Sequence, residues 1–395
     1  MTVAVDLREE ARERFEQLGW PTPRLEEWKY TNLGAIAKTE WREGPASEAH
    51  ASTQATHDEH AAVTFVFSNG HLVRKSGNPV GVRELDDANG ELSFDDNALV
   101  ALNAAYTHGG VHIEVDGVID GFIHLVFRGE GDNVWSHPRN IIRVARNAQV
   151  AIVETYEGSG AYFTNAVTEI VAEENAVVEH TTIVCESHDA AHVGTLSIRQ
   201  ERSSQVTAHN ITAGGKLVRN DVTVRLNGEG ANVVLDGLFA VTGNQHVDNH
   251  TLIDHVTPHC ESLELYKGVL DQSARGVFDG SIIVREGAQK TVSRQTNHNL
   301  LLSETAVVDS KPTLVIHNDD VKCNHGSTIG QLDEQALFYL RSRGISAEEA
   351  RNLLVLAFAS ELVDRLKIEA VREQVRRALF QQMPGRLPER REKTR

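Results

Sequence analysis

Valine, isoleucine, leucine and threonine alternate with polar residues from about Val111 to Val321, the two-residue period of extended strands. Similar strand openings recur at Ala148-Gln149-Val150, Ala176-Val177-Val178, Ser204-Gln205-Val206, Ala231-Asn232-Val233, Glu261-Ser262-Leu263 and Ala288-Gln289-Lys290, spaced by 27 to 30 residues. A second series, Ile170, Ile198, Leu226, Ile253 and Ile283, keeps the same spacing at an offset. Two ladders with one period predict two strands per repeat in two stacked sheets. A single such coil cannot bury its own apolar face, and stacking does so. The expected fold is mainly β: a right-handed parallel β-helix flanked by helical regions. An antiparallel sandwich would need tight hairpins at shorter intervals, and Asn227-Gly228 and Asp279-Gly280 are where such turns could fall.

The pattern changes at both ends. Asp6-Leu7-Arg8-Glu9 reads as a capping box, with Leu7, Ala11, Phe15 and Leu18 at helical spacing and Gly19 and Pro21 as stops. Large side chains crowd Arg24 to Thr31, and the polar stretch from Arg42 to His60 reads as a linker. A strand is expected at Val63 to Phe67 and a helix at Asp95 to Tyr106. From Gln331 a helix runs to Arg343, stopped by Gly344. Ser346 and Glu349 form a second capping box. The following helix places Ala350, Leu353, Leu354, Ala357, Phe358 and Leu362 on one side, and a last helix covers about Ile368 to Phe380. The tail with Pro384, Pro388 and Arg386 to Arg395 is expected to fray. Four regions follow: a helical part with linker (1–60), a mixed entry region (61–110), the β-helix (111–330) and a C-terminal helical domain (331–395). That last domain is expected to cover the open final coil, whose strand edges would otherwise pair with other chains.

Composition narrows the function. The chain has 395 residues, 40% hydrophobic, with a formal net charge of −17. That charge argues against nucleic acid or an anionic membrane as partner. No apolar run approaches the ~20 residues of a spanning helix. Met1 to Arg14 is charged and unlike a signal peptide, and the three cysteines, Cys185, Cys260 and Cys323, suggest free thiols in a cytoplasmic setting.

The candidate chemistry gathers at Asp319-Asp320-Val321-Lys322-Cys323-Asn324-His325-Gly326. In a strand, Cys323 and His325 leave the same face with Cα atoms about 6.5–7 Å apart, half of a soft-metal site. A buried thiol beside an incidental histidine is the plainer alternative. His246 and His250, followed by His255, His259 and Cys260, would need a sharp bend to share an ion, since strand residues four apart lie about 13 Å apart. Cys185 and His188 form a weaker pair at a strand end. Glu157-Gly158-Ser159-Gly160 reads as a turn. Asp319 and Asp320, adjacent on a strand, face opposite ways and so cannot serve jointly as the carboxylate pair of a carbohydrate-cleaving β-helix enzyme.

Several motifs together resemble the SufB/SufD family of iron–sulfur cluster assembly. They are Arg24-Leu25-Glu26-Glu27-Trp28-Lys29-Tyr30-Thr31, Asp309-Ser310-Lys311-Pro312, the Cys323 segment, Gly330-Gln331-Leu332-Asp333 and Leu337-Phe338-Tyr339-Leu340-Arg341-Ser342-Arg343-Gly344-Ile345. Three cysteines without a Cys-x-x-Cys pair are similar to the SufD branch rather than to the longer, cysteine-richer SufB branch. The resemblance implies a non-enzymatic, cytoplasmic scaffold that pairs with SufB and docks the ATPase SufC. Cys323 and His325 would map onto the family's interface cysteine and histidine. They would hold iron or a nascent cluster shared with the partner, with none bound stably by this chain alone. The helical hairpin would map onto the ATPase-binding element, through Leu337, Tyr339, Arg341, Arg343, Glu349, Leu353, Leu354 and Phe358. Binding of reduced flavin to the complex, and a homodimer of the isolated chain, stay open. The competing classes are a SufB-like paralogue, a carbohydrate-active enzyme and a self-associating structural protein.

Overall fold

The computed structural model describes residues 2–47, 60–85, 90 and 92–382 of the chain. Helix α1 (Thr2–Leu18) starts before the proposed capping box and stops at Gly19, where φ is +67°. A 3-10 turn (Glu26–Trp28) and helix α2 (Gly34–Lys38) follow. Strand β1 (Arg42–Glu43) pairs with Val134 and Trp135, so the proposed linker begins as structure; its residues 48–59 lie outside the described residues. The entry region holds β2 (Ala61–Ser68), β3 (His71–Ser76), β4 (Val82–Glu84) and helix α3 (Ala98–Tyr106), capped by Asn97.

The body runs through β5 (His112–Val115), β6 (Phe122–Glu130), β7 (Val134–Ser136), β8 (Arg139–Val144), β9 (Gln149–Ser159), β10 (Phe163–Ala172) and β11 (Val177–Cys185). It continues through β12 (Ala191–Gln200), β13 (Gln205–Thr212), β14 (Leu217–Leu226), β15 (Asn232–Val241) and β16 (His246–His255). It ends with β17 (Glu261–Leu270), β18 (Arg275–Val284), β19 (Val292–Leu301), β20 (Val307–Ile316) and β21 (Lys322–Gly330). From β8 onward successive strands alternate between two sheets, which end on β20 and on β21. Every strand pair from β8 to β21 is parallel and in register, giving a parallel β-helix. The sandwich alternative falls: Asn227-Gly228 links two different sheets, and Asp279-Gly280 lies inside β18. Glu157 to Ser159 are still strand, and the chain turns only at Gly160.

One corner repeats. Asn147, Asn175, Ser203, Gly230, His259 and Lys290 all have positive φ. Each precedes a buried small residue: Ala148, Ala176, Ser204, Ala231, Cys260 and Thr291. The left-handed conformation turns the chain into the next strand, and the small side chain fits inside the bend. Cys260 is thus a corner residue, its thiol donating to Gly228 O at 3.4 Å. The repeat read from the sequence slips here, since Glu261 and Ala288 stand off the corner position. In the second series the register aligns Ile198 with Val224 and Ile253 with Ile282, in place of Leu226 and Ile283. Corners that are shorter in one coil and longer in others cause both slips.

The interior between the sheets is one continuous apolar cluster from Val63 to Ala306. After β21 come α4 (Glu334–Ser342), α5 (Ala347–Val363) and α6 (Glu369–Gln381). These helices do not cover the last coil. Helices α5 and α6 lie on the outer face of the second sheet, where Val355, Ala359, Leu362, Val371 and Val375 pack on Ile183, Ile211 and Leu238. Ion pairs mark the path back along the body: Arg351 to Asp271, Lys267 to Glu361, Arg365 to Asp236 and Lys367 to Glu179. The buried stripe of α5 is Ala350, Asn352, Val355, Ala359, Leu362 and Val363, while Leu353 and Ala357 are exposed. An almost wholly apolar run from Leu353 to Phe358 left the helix phase undetermined, and packing chose it. Proline 384 and the tail beyond it lie outside the described residues.

Candidate functional site

Among the described residues, strands β20 and β21 are the last in their sheets, and each pairs on one side only. Their outer edges therefore present unpaired backbone groups at the same end of the β-helix. Val307, Val315, Ile316 and Ile329 are exposed there. Cys323 and His325 lie on β21, in register with Ser293 and Gln295 of β19. Those two neighbours are 1% and 0% exposed, so this face is the inner one. In any complete coil Cys323 and His325 would be core. They are reachable because no further coil covers them: Cys323 is half-buried against the core and His325 is exposed. Burial raises the Cys323 thiol above its ordinary value, against a hydrogen bond from the Ser293 backbone.

The residues stacked behind the pair change character along the body. Behind Cys323 stand Ser293 and Ser262, and behind these Val233, Val206 and Val178. Behind His325 stand Gln295 and Glu264, then Leu235 and Ala208. Two adjacent interior columns thus turn from apolar to polar in the last coils; farther back, the second column has one other polar member, His180, bonded to Glu154. The groups in the last coils are hydrogen-bonded: His255 Nε2 meets Ser262 Oγ at 2.9 Å, Ser262 Oγ meets Ser293 Oγ at 2.7 Å, and Gln295 Nε2 donates to Glu264 Oε2 at 2.6 Å. Gly280 leaves the room for this amide, since a Cβ there would stand 2.5 Å from Gln295 Nε2. Burial pushes the Glu264 carboxyl up to about 7, with hydrogen bonds from Thr251 and Gln295 pulling the other way. Sequence reading missed this layer, because it shows only when coils are stacked in true register.

One thiol and one imidazole make half of a four-ligand soft-metal set. Among the described residues, no group of three or more histidine, cysteine or acidic side chains gathers to complete it. The other histidine run disperses. His246 meets the Thr31 hydroxyl at 2.7 Å, His250 pairs with Asp248 at 3.0 Å, His255 points inward and His259 forms a corner. Cys185 lies beneath the C-terminal helices, where burial pushes its thiol up to about 12, and His188 is exposed in the following loop. Asp320 is paired with Lys290 at 2.7 Å.

The Arg24 to Thr31 motif is a strap across the outer face of the first sheet. Trp28 is buried with the Arg219 guanidinium 3.8 Å above its ring. The Thr31 hydroxyl donates to Asp248, which Arg219 also binds. Burial would raise the Asp248 carboxyl, but the His250 hydrogen bond and the Arg219 charge outweigh it and hold it at about 2. Glu26 reaches Lys311 of β20 at 3.0 Å.

On the helical hairpin, α4 buries none of its residues. Phe338 is 74% and Tyr339 57% exposed. Arg341, Arg343 and Leu353 are exposed, and Leu337 and Leu354 half-buried. Glu349 accepts from Ser346 in the capping box. Phe358 is different: its ring packs on the sheet beneath Lys267, whose Nζ lies 4.5 Å from the ring centre, so it supports the helix rather than facing solvent.

The SufBD core domain of the SUF system for FeS cluster assembly matches residues 127–358. Iron-sulfur cluster assembly protein SufD of Escherichia coli (strain K12) is 28% identical, with 95% of this chain and 93% of that one covered. An iron-sulfur cluster assembly SufBD family protein of Synechocystis sp. is 30% identical, with 96% and 91% covered. SufD of Bacillus subtilis (strain 168) is 28% identical over 72% of this chain and 66% of its own. With more than half of its length matched by the core domain, this chain belongs to the SufBD family of the SUF iron–sulfur cluster assembly system and is a homologue of SufD.

Proposed function

We propose that the chain is a non-catalytic scaffold subunit whose open end pairs with a SufB-type paralogue and whose helical hairpin docks a SufC-type ATPase. Iron or a nascent cluster is the cargo, held between Cys323 and His325 and ligands of the partner. The observation that carries this reading is the coincidence of two unpaired edge strands with a thiol and an imidazole on the inner face of the same last coil. A partner that adds a coil to both edges would bury the pair and bring its own donors to it. The exposed aromatic pair Phe338 and Tyr339 on a helix without buried residues suits a second partner. No helix among the described residues is long and apolar enough to cross a membrane. Co-expression with the SUF paralogue and ATPase, followed by affinity purification through this chain, tests the proposal. All three chains should co-elute, and Cys323→Ser should leave the complex intact while lowering its cluster yield. Recovery of this chain without either protein would sink it.

A further inference from the structure

We infer that Ser293 and Gln295 are positioning residues for Cys323 and His325, each held from behind by a second buried polar group. The inference rests on the proposal that Cys323 and His325 take up iron. Parallel neighbours lie about 4.8 Å apart, so the side chains of β19 stand directly under those of β21. With His255 Nε2 as donor to Ser262 Oγ, the Ser262 hydroxyl proton goes to Ser293 Oγ, which leaves the Ser293 proton to turn toward its register neighbour Cys323. A hydroxyl aimed this way donates to a metal-bound thiolate and fixes its direction. Gln295 is constrained from the other side. Its amide nitrogen is committed to Glu264, which leaves Oε1 as a buried acceptor without a hydrogen-bond partner among the described residues. That oxygen is placed to take the ring N–H of His325 when the opposite nitrogen holds a metal, the arrangement that fixes tautomer and ring angle in metal-binding histidines. The fold does not require these groups. The same columns in the two coils before Ser262 and Glu264 hold Val233, Leu235, Val206 and Ala208 in the same backbone setting, and the next polar member, His180, lies one coil farther back with Glu154 as its own partner. A serine pair and a Glu–Gln pair in place of valine and leucine give up apolar burial, so their position behind the exposed pair is what they serve.

The test returns the earlier coils' residues to the last ones. The complex of the full chain with its SufB-type partner, reduced and anaerobic, is titrated with Co2+ as probe, reading the thiolate-to-cobalt absorption band and the affinity. Thermal unfolding is measured in parallel. Ser293→Val and the double variant Glu264→Leu with Gln295→Leu should bind Co2+ roughly ten- to hundredfold more weakly, with melting temperatures equal to or above wild type. Ser293→Thr, which has the shape of valine but keeps the hydroxyl, should bind like wild type. Unaltered Co2+ affinity in the valine and leucine variants would overturn the inference. So would a loss of affinity that only tracks a lowered melting temperature. A cobalt band insensitive to both Cys323→Ser and His325→Gln would overturn the parent proposal instead, and the inference with it.

Discussion

Replacing Glu264 by glutamine should stabilise the chain in mild alkali and hardly change it in mild acid. The carboxyl is fully buried and carries a folded-state value of about 7 against an ordinary 4.5, with burial as the main cause. Between those two values the folded chain keeps a proton that the unfolded chain has released. The unfolded state then binds fewer protons, so stability falls as pH rises through this window and is lowest above it. A gap of about 2.5 pH units at about 1.4 kcal/mol each makes the penalty at pH 8 about 3 kcal/mol. Glutamine has nearly the same shape, carries no charge and still offers an oxygen to the Gln295 amide. Urea unfolding of both chains at pH 5 and pH 8 measures the effect. The variant should gain about 3 kcal/mol at pH 8 and well under half of that at pH 5. Asp236, raised to about 6 by burial against the opposing Arg365 charge, adds a pH dependence of the same sign to both chains and cancels in the difference. Equal pH dependence in variant and wild type would refute the reasoning, because it would mean that Glu264 is already ionised in the fold.

Trp28→Ala should cost about 3 kcal/mol, since it empties a buried site under Arg219, and should speed hydrogen exchange in β14 and β16; unchanged exchange there would show that the strap is not held by this ring. Gly280→Ala should destabilise by roughly 1–3 kcal/mol, because the new Cβ would stand 2.5 Å from Gln295 Nε2 and 2.6 Å from the Phe278 ring. Neutral behaviour in thermal unfolding would mean that Gln295 can move aside. Cys260→Ala should change stability by less than about 1 kcal/mol, since alanine fills the same corner in three other coils, at Ala148, Ala176 and Ala231. A large loss would give the Cys260 thiol a role beyond filling space.

The sequence by itself determined what is local and periodic. Alternation fixed the strands, the recurrence near 28 residues fixed the stacked coils, and Ser346 with Glu349 fixed where α5 begins, because each depends on backbone geometry within a few residues. Alternation also placed Cys323 and His325 on one face. The tertiary structure alone decided that this face is the inside of an uncovered coil, since strands buried on both sides carry no mark of which way is in. It decided the exact register, which corner insertions had shifted at Cys260 and Thr291, and with it the serine and glutamine behind the pair. It also sent the C-terminal helices along a sheet face instead of over the open end, and laid Trp28 on Arg219 from 191 residues away in the chain. Contacts of that separation arise from whichever surfaces remain uncovered once the coils have stacked, and no short stretch of chain encodes them.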